Sequence, residues 1–148
     1  MTRFAPYLIR PAAAADLGAV SALLTADALP VEGVAEHFQS FLVAELEGDI
    51  LGAMGLELYG ETALLRSAVV APGRRKSGIG SLLFTKVLAL ARAEGVRRLL
   101  LLTNSAGPYF ANKGFRAIDA ASVTGPVTGS VEFSGACPSH ALCMEMLL

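Results

Sequence analysis

Val69-Val70-Ala71-Pro72-Gly73-Arg74-Arg75-Lys76-Ser77-Gly78-Ile79-Gly80 joins an apolar, strand-like run to the start of an amphipathic helix. The join is a basic turn containing glycine. Backbone N–H groups at a helix start have no intrahelical partner, and the helix dipole is positive there. With three adjacent cations, the turn predicts a binding site for a polyphosphate.

The elements on either side of the turn set the fold class. Ala63 to Val70 reads as a strand. Ile79, Leu82, Leu83, Val87, Leu90 and Ala91 recur at helical spacing, which predicts a helix from Ile79 to Ala93 with that stripe buried. Gly95 is a natural C-cap. Leu99 to Leu102 is a continuous apolar run, expected of a central strand covered on both faces. The centre is therefore a βαβ unit.

Upstream, Tyr7 to Arg10 reads as a short strand closed by Pro11. A helix follows near Asp16, with Leu17, Val20, Leu23 and Leu24 on one face. Asp27 to Gly33 is a loop. Phe41 to Glu45 and Ile50 to Tyr59 flank Gly48-Asp49, which predicts a hairpin, and Gly60-Glu61 is the next turn. Downstream, Ala106 to Lys113 reads as a short helix closed by Gly114. Phe115 to Ile118 starts a strand, Ser122 to Gly129 is loop-like, and Val131 to Phe133 and Leu142 to Met146 are the last two strand candidates. The expected architecture is a mixed α/β sheet: an antiparallel meander plus a central βαβ, in one domain over residues 1–148.

Composition narrows the function classes. Apolar residues make up 53% of the chain, which excludes disorder. A formal net charge of −1 leaves no global field for nucleic acid or an anionic membrane. Met1 to Pro6 leads straight into strand-like sequence, so no signal peptide is expected. Lys86, Arg92, Glu94, Arg97 and Arg98 interrupt the apolar stretch from Ser81 to Thr103 and exclude a membrane helix there. Cys137 and Cys143 match no redox or zinc spacing, and no metal site is expected. The expectation is a reduced, cytoplasmic protein. A homodimer is compatible with the sequence, which does not decide between it and a monomer.

Two phosphate motifs fail on this turn. A P-loop needs Lys-Ser/Thr after its second glycine, and Ile79-Gly80 stands there instead. A dinucleotide fingerprint starting at Gly78-Ile79-Gly80 places Leu83 where a glycine or alanine belongs. What fits is R-x-x-G-x-G, from Arg75 through Gly78 to Gly80, shortly after V-x-P. That pattern, with the element order around it, resembles the acetyl-CoA loop of the GCN5-related N-acetyltransferase (GNAT) superfamily. The likeness covers essentially the whole chain, from Ile9-Arg10-Pro11 and Asp16-Leu17 onward. Further strings resemble the small N-acetyltransferases of arsenic-resistance operons: Leu29 to Gly33, Gly55 to Gly60, Ala63 to Ser67, Leu101 to Asn104, and Glu132-Phe133 through Cys137-Pro138.

The resemblance implies transfer of acetyl from acetyl-CoA to the primary amine of a small, amino-acid-like or toxic molecule, by direct attack on the thioester. It implies coenzyme A binding by Val69, Val70, Arg74, Arg75, Lys76, Ser77, Gly78, Ile79, Gly80 and Ser81. A backbone N–H at Val69 or Val70 would polarise the thioester carbonyl, and the strands Ala63–Val70 and Leu99–Thr103 would splay apart. Asn104 is either a cofactor or substrate contact or a helix N-cap. The usual tyrosine acid falls at Phe110, which has no proton to give. Tyr109 beside it is read as core or cofactor packing, ahead of the alternative of a displaced acid. The usual early-strand glutamate falls at Ala63, so Glu57 becomes the candidate base or ammonium contact, or else an outward-facing strand residue. Arg66 either binds a substrate carboxylate or pairs with Glu57. Glu32 is a candidate amine contact in the loop over the acceptor, and His37 is read as structural. The alternatives to a small-molecule enzyme are a non-catalytic acyl-CoA sensor, motivated by Phe110 and Ala63, and a protein N-acetyltransferase.

Overall fold

In chain order the elements are β1 (Leu8–Pro11), α1 (Leu17–Ala26), α2 (Val34–His37), β2 (Phe41–Leu46), β3 (Asp49–Tyr59) and β4 (Thr62–Val70), then α3 (Ile79–Ala93), β5 (Arg98–Thr103), α4 (Gly107–Asn112), β6 (Arg116–Ile118) and β7 (Leu142–Leu147). The computed structural model describes residues 7–75, 77–136 and 141–148. Lys76 and Cys137 lie outside the described residues. The strands form one seven-stranded sheet in the order β1-β2-β3-β4-β5-β7-β6. Every neighbouring pair is antiparallel except β4 and β5, which run parallel because α3 returns the chain between them.

Alternation along the strands sends side chains to two cores. On one face Leu56, Leu65, Leu99 and Leu101 pack against Ile79, Leu83, Phe84 and Val87 of α3 and Phe110 of α4. On the other, Phe41, Val43 and Ala53 pack against Val20 and Leu24 of α1 and Val34 of α2. Further along that face, Leu64 and Leu100 are covered by Val123 and Val127. The apolar run in β5 thus serves both faces, and truncating Leu99 or Leu101 to alanine is expected to cost about 2–5 kcal/mol.

Several expectations are corrected. The β2–β3 turn is Glu47-Gly48, both at positive φ (50° and 88°), so it sits one residue earlier than Gly48-Asp49 and Asp49 opens β3. In α3, Leu82 and Leu90 are half-buried flanks. Phe84 takes the place expected for them, 6.1 Å from the Phe115 ring. The stretch from Ser122 to Gly129 contains single 3-10 turns. Val131 to Phe133 is not a strand: Glu132–Ala136 forms a wide helical turn. The turn carries Glu132 inward, where it is buried 3.4 Å from Arg66 Nε, a position that an added strand at the sheet edge would not give it.

The feature that positions the site is the parting of β4 from β5. Their pairing runs from Thr62–Arg98 to Leu64–Leu100 and then ends, although β4 continues to Val70 and β5 to Thr103. β4 also carries a bulge. Arg66 pairs with Gly55 and Val69 with Ala53, so β4 spends an extra residue, and Ser67 within that step has φ 60°. Gly55 opposite is required for another reason: a Cβ there would lie 2.3 Å from the Phe41 ring. A bulged strand bends, and β4 leaves its parallel neighbour where the bulge begins.

Candidate active site

The parted strands and the glycine turn create two cavities that meet. The first, about 460 Å³, lies at the start of α3. Val69, Val70, Arg74, Arg75, Gly78 and Gly80 line it, with Ser81 and Tyr109 at its sides. The second, about 580 Å³, lies between β4 and β5, and Arg66, Ser67, Thr103, Asn104 and Glu132 are among its walls. Asp27, Ala68, Ala106 and Phe110 line both cavities. The two spaces therefore abut at the bulge of β4.

The first cavity is built from backbone. Gly78 is the N-cap of α3 at φ 92°, and a Cβ there would meet nothing within 4 Å. The orphan N–H groups of the first helical turn sit behind that open space. A Cβ on Gly80 would come within 3.5 Å of the Tyr109 hydroxyl, so Tyr109 stands over the turn. The residue is 41% exposed and lines the cavity, so of the two packing readings the core one is excluded. Ile79 points the other way: its side chain is buried in the core and only its backbone faces the turn. Ser77 donates its hydroxyl hydrogen bond to the Arg74 carbonyl, which closes the turn. Ser81 accepts from Lys113 at 3.0 Å.

Val70 presents a free backbone edge to this cavity. Ala71 N–H bonds Leu51 C=O at 2.8 Å, and Val70 is opposite Gly52. In an antiparallel ladder that makes Val70–Gly52 a non-hydrogen-bonded pair, so the Val70 N–H and C=O point away from β3. β5 has already diverged on that side. The Val70 carbonyl accepts from Arg75 Nε at 3.3 Å.

The second cavity is floored by a buried charged cluster. Arg66 Nη1 donates to Glu57 Oε2 at 2.8 Å, its Nη2 to the Pro30 carbonyl at 3.3 Å and its Nε to Ser67 Oγ at 3.0 Å. Glu132 Oε2 lies 3.4 Å from that Nε. Tyr59 donates to Glu57 Oε1 at 2.6 Å, and His37 Nε2 is 3.8 Å away. Burial alone would push the Glu57 carboxyl up. Hydrogen bonds from Tyr59, Ser130 and Arg66 and the nearby His37 outweigh it and hold Glu57 below its ordinary value of 4.5. The Tyr59 hydroxyl is pushed up to about 12 by burial and by the Glu57 carboxylate it bonds. Gly33, at φ 82°, roofs the pair: a Cβ on it would fall 2.9 Å from Arg66 Nη1.

This geometry corrects several sequence expectations. Glu57 lines neither cavity and is fully buried, so it is placed as the partner of Arg66 and not at a reacting amine. The alternative reading of Arg66, a structural ion pair, is the one present, and its guanidinium is committed on all three nitrogens. Glu32 is exposed and lines neither cavity. Asn104 is not the N-cap of α4; that position is Ala106, and Thr103 Oγ1 accepts its N–H at 3.0 Å. Among the lining residues that the sequence does not single out as site candidates are two carboxylates, Asp27 and Glu132. Asp27 falls in a segment read as a loop, and Glu132 in one read as a strand that the structure makes a helical turn. Among the described residues no group of three or more His, Cys, Asp or Glu is placed to hold a metal ion, and no helix is long and apolar enough to cross a membrane.

Known proteins share this fold. The model of the Acetyltransferase (GNAT) family matches residues 17–115. An uncharacterized N-acetyltransferase of Chlorobaculum tepidum is 34% identical over 90 residues, covering 60% of this chain and 57% of that protein. An amino-acid acetyltransferase of Neisseria meningitidis is 28% identical over 87 residues, covering 57% of this chain and 20% of that protein. The chain thus matches little more than half of one relative and a fifth of the other. Among solved structures, N-acetylglutamate synthase from Neisseria gonorrhoeae, complexed with coenzyme A and N-acetyl-glutamate, superposes with a TM-score of 0.83 at 21% identity, over 99% of this chain and 36% of that one. Rv2747 from Mycobacterium tuberculosis, in a complex containing coenzyme A, gives 0.80 at 25% identity, over 95% and 99%. The mixed seven-stranded sheet is the fold of those structures, the family match spans the meander, the glycine turn and the βαβ unit, and the chain belongs to the Acetyltransferase (GNAT) family.

Proposed function

We propose that this protein is an N-acetyltransferase that moves acetyl from acetyl-CoA to the primary amine of a small molecule by direct attack. The observation that carries this reading is the meeting of the two cavities at Ala68, Ala106 and Phe110. One has the makings of a donor site and the other of an acceptor site, and a bond can form only where they join. The amino-acid acetyltransferases among the relatives favour an amino-acid-like acceptor.

The residues of the first cavity fit coenzyme A. The turn leaves open space at Gly78 where a side chain would block access to the helix start. The N–H groups of Gly78, Ile79 and Gly80 would receive the pyrophosphate, each charge–dipole contact contributing about 0.3–1 kcal/mol. Arg74, Arg75, Lys76, Ser77 and Ser81 would surround it, with Val69, Tyr109 and Phe110 along the arm and Asn104 at the rim. When bound, acetyl-CoA supplies an activated acetyl thioester. The outward-facing Val70 N–H would donate to its carbonyl as charge develops on that oxygen. Holding both reactants at one junction accounts for most of the expected acceleration. Glu57 acts on the acceptor only through Arg66, by fixing it against the cavity wall. Phe110 cannot protonate the departing thiolate, which takes its proton from water.

A reducing, cytoplasmic setting suits this reading, since Cys143 is a buried free thiol. The test is thiol release from acetyl-CoA with a panel of amino acids, polyamines and amino-acid analogues, with products confirmed by mass. Turnover of one or more is expected. Tight coenzyme A binding with no acetylated product across the panel would replace the enzyme with a binding module.

A further inference from the structure

Asp27 is the one carboxylate among the described residues that lines both cavities. It caps the C-terminal end of α1, its backbone N–H reaching the carbonyls of Leu23 and Leu24. A carboxylate is disfavoured there, because the helix dipole is negative at that end. A cation offsets this: Arg75 Nη2 lies 2.9 Å from Asp27 Oδ1. Arg75 belongs to the glycine turn, and its Nε also bonds the Val70 carbonyl, beside the N–H assigned to the thioester. The guanidinium thus bridges the end of α1 and the open edge of β4. Both members of the pair are about half exposed (49% and 40%), so their bond is weak enough to exchange.

We infer that Asp27 is an acceptor-binding residue, uncovered when coenzyme A draws Arg75 away. This rests on the acetyltransferase reading and names the acceptor contact within it. A pyrophosphate at the helix start is a stronger partner for Arg75 than a single exposed carboxylate. Once Arg75 turns to it, Asp27 is left beside the junction with its charge uncompensated and the helix end still unfavourable to it. An ammonium arriving through the second cavity restores the balance. The other carboxylates near that cavity are less suited: Glu57 is walled off, and Glu132 sits against Arg66. The acceptor class is accordingly a primary amine that binds as its ammonium and gives up one proton to water before its neutral nitrogen, held at the bulge of β4, attacks the thioester.

The inference is testable with coenzyme A and a simple cation. Coenzyme A affinity is measured by calorimetry for the wild type, Asp27→Asn, Arg75→Gln and the double variant. Asp27→Asn is expected to tighten coenzyme A by about two- to fivefold, the size of an exposed ion pair that no longer has to break. Arg75→Gln is expected to weaken it about tenfold, and Asp27→Asn should change nothing in that background. n-Propylammonium is then titrated and followed by the amide NMR shifts of residues 66–68 and 103–106. Binding at least threefold tighter with coenzyme A present, and no such gain in Asp27→Asn, is expected. Unchanged or weaker coenzyme A binding in Asp27→Asn overturns the exchange. An equal gain for propylammonium in Asp27→Asn overturns the acceptor role. Failure of the wild type to bind coenzyme A at all would instead sink the acetyltransferase reading itself.

Discussion

The two cavities meet at one bulge, yet they are built from opposite materials. The proposed donor side is mostly backbone: a left-handed glycine, a helix start and a strand edge, with Arg74 exposed and Arg75 tied to Asp27 and the Val70 carbonyl. The acceptor side is side chain: a buried guanidinium held by Glu57, Ser67 and a main-chain carbonyl, close to Glu132. A backbone site depends on conformation and tolerates many side chains. A side-chain site depends on every partner being present, because each buried charge is costly alone. Among the described residues no buried side-chain polar atom lacks a hydrogen-bond partner, so the acceptor floor is a closed network.

Variants should therefore fail differently on the two sides. The largest effect is expected from Arg66→Met, which strands Glu57 in the core. It should cost about 3–5 kcal/mol of stability in urea unfolding, by the usual penalty for breaking a buried pair. Coenzyme A affinity per folded molecule should hardly change. A loss under about 1 kcal/mol would mean the floor is not a closed network.

Gly78→Val comes next. Its φ of 92° strains any side chain by about 1–3 kcal/mol, and the new branch blocks the helix start. Coenzyme A affinity should fall about a hundredfold while the protein stays folded by circular dichroism. Unaltered affinity would remove the donor site from the turn.

The acid dependence of stability separates the sides again. Glu57 is held below its ordinary value, so the stability it contributes is complete above about pH 4.5 and is lost as pH falls through its folded-state value. Urea midpoints should drop below about pH 4.5 in the wild type, and the drop should be smaller in Glu57→Gln. If Glu57→Gln instead abolishes the acid limb of the pH–rate profile while leaving stability intact, Glu57 is a base after all.

Tyr109 should show the smallest effect. Tyr109→Ala removes a groove wall and should weaken coenzyme A about tenfold or less. Tyr109→Phe should change turnover less than about threefold, since water serves as the proton donor. A large loss of kcat in Tyr109→Phe would make the hydroxyl the acid.

The donor side is legible in the amino-acid sequence because its chemistry is local. A strand, a glycine turn and a helix start are contiguous, and the period of Ile79 to Ala93 gives the bounds of α3, though Phe84 and not Leu82 or Leu90 completes its buried face. The acceptor side is legible there only as a set of suspects. Glu57 and Arg66 stand out as charges in apolar strands, but their relation does not, since it depends on β3–β4 register and on Gly33 arriving overhead from a distant loop. The Leu29 to Gly33 string carries a family likeness in sequence and a structural role only in the fold, where Gly33 roofs the ion pair and Pro30 holds the Arg66 guanidinium. Asp27 escapes notice because loop residues carry no period from which a direction can be read, and Glu132 because its segment reads as a strand and folds as a helical turn.

The order of most elements, the family pattern and the glycine turn before α3 follow from the chain alone, each encoded by neighbours along it. The folded molecule settles which carboxylate is buried and which lines the junction. It also shows why Val131 to Phe133 is no strand: the segment turns inward to bury Glu132 beside Arg66. The physical reason is the same throughout. Spacing along the chain fixes backbone conformation, whereas burial, ion pairing and strand edges are settled by residues far apart in sequence.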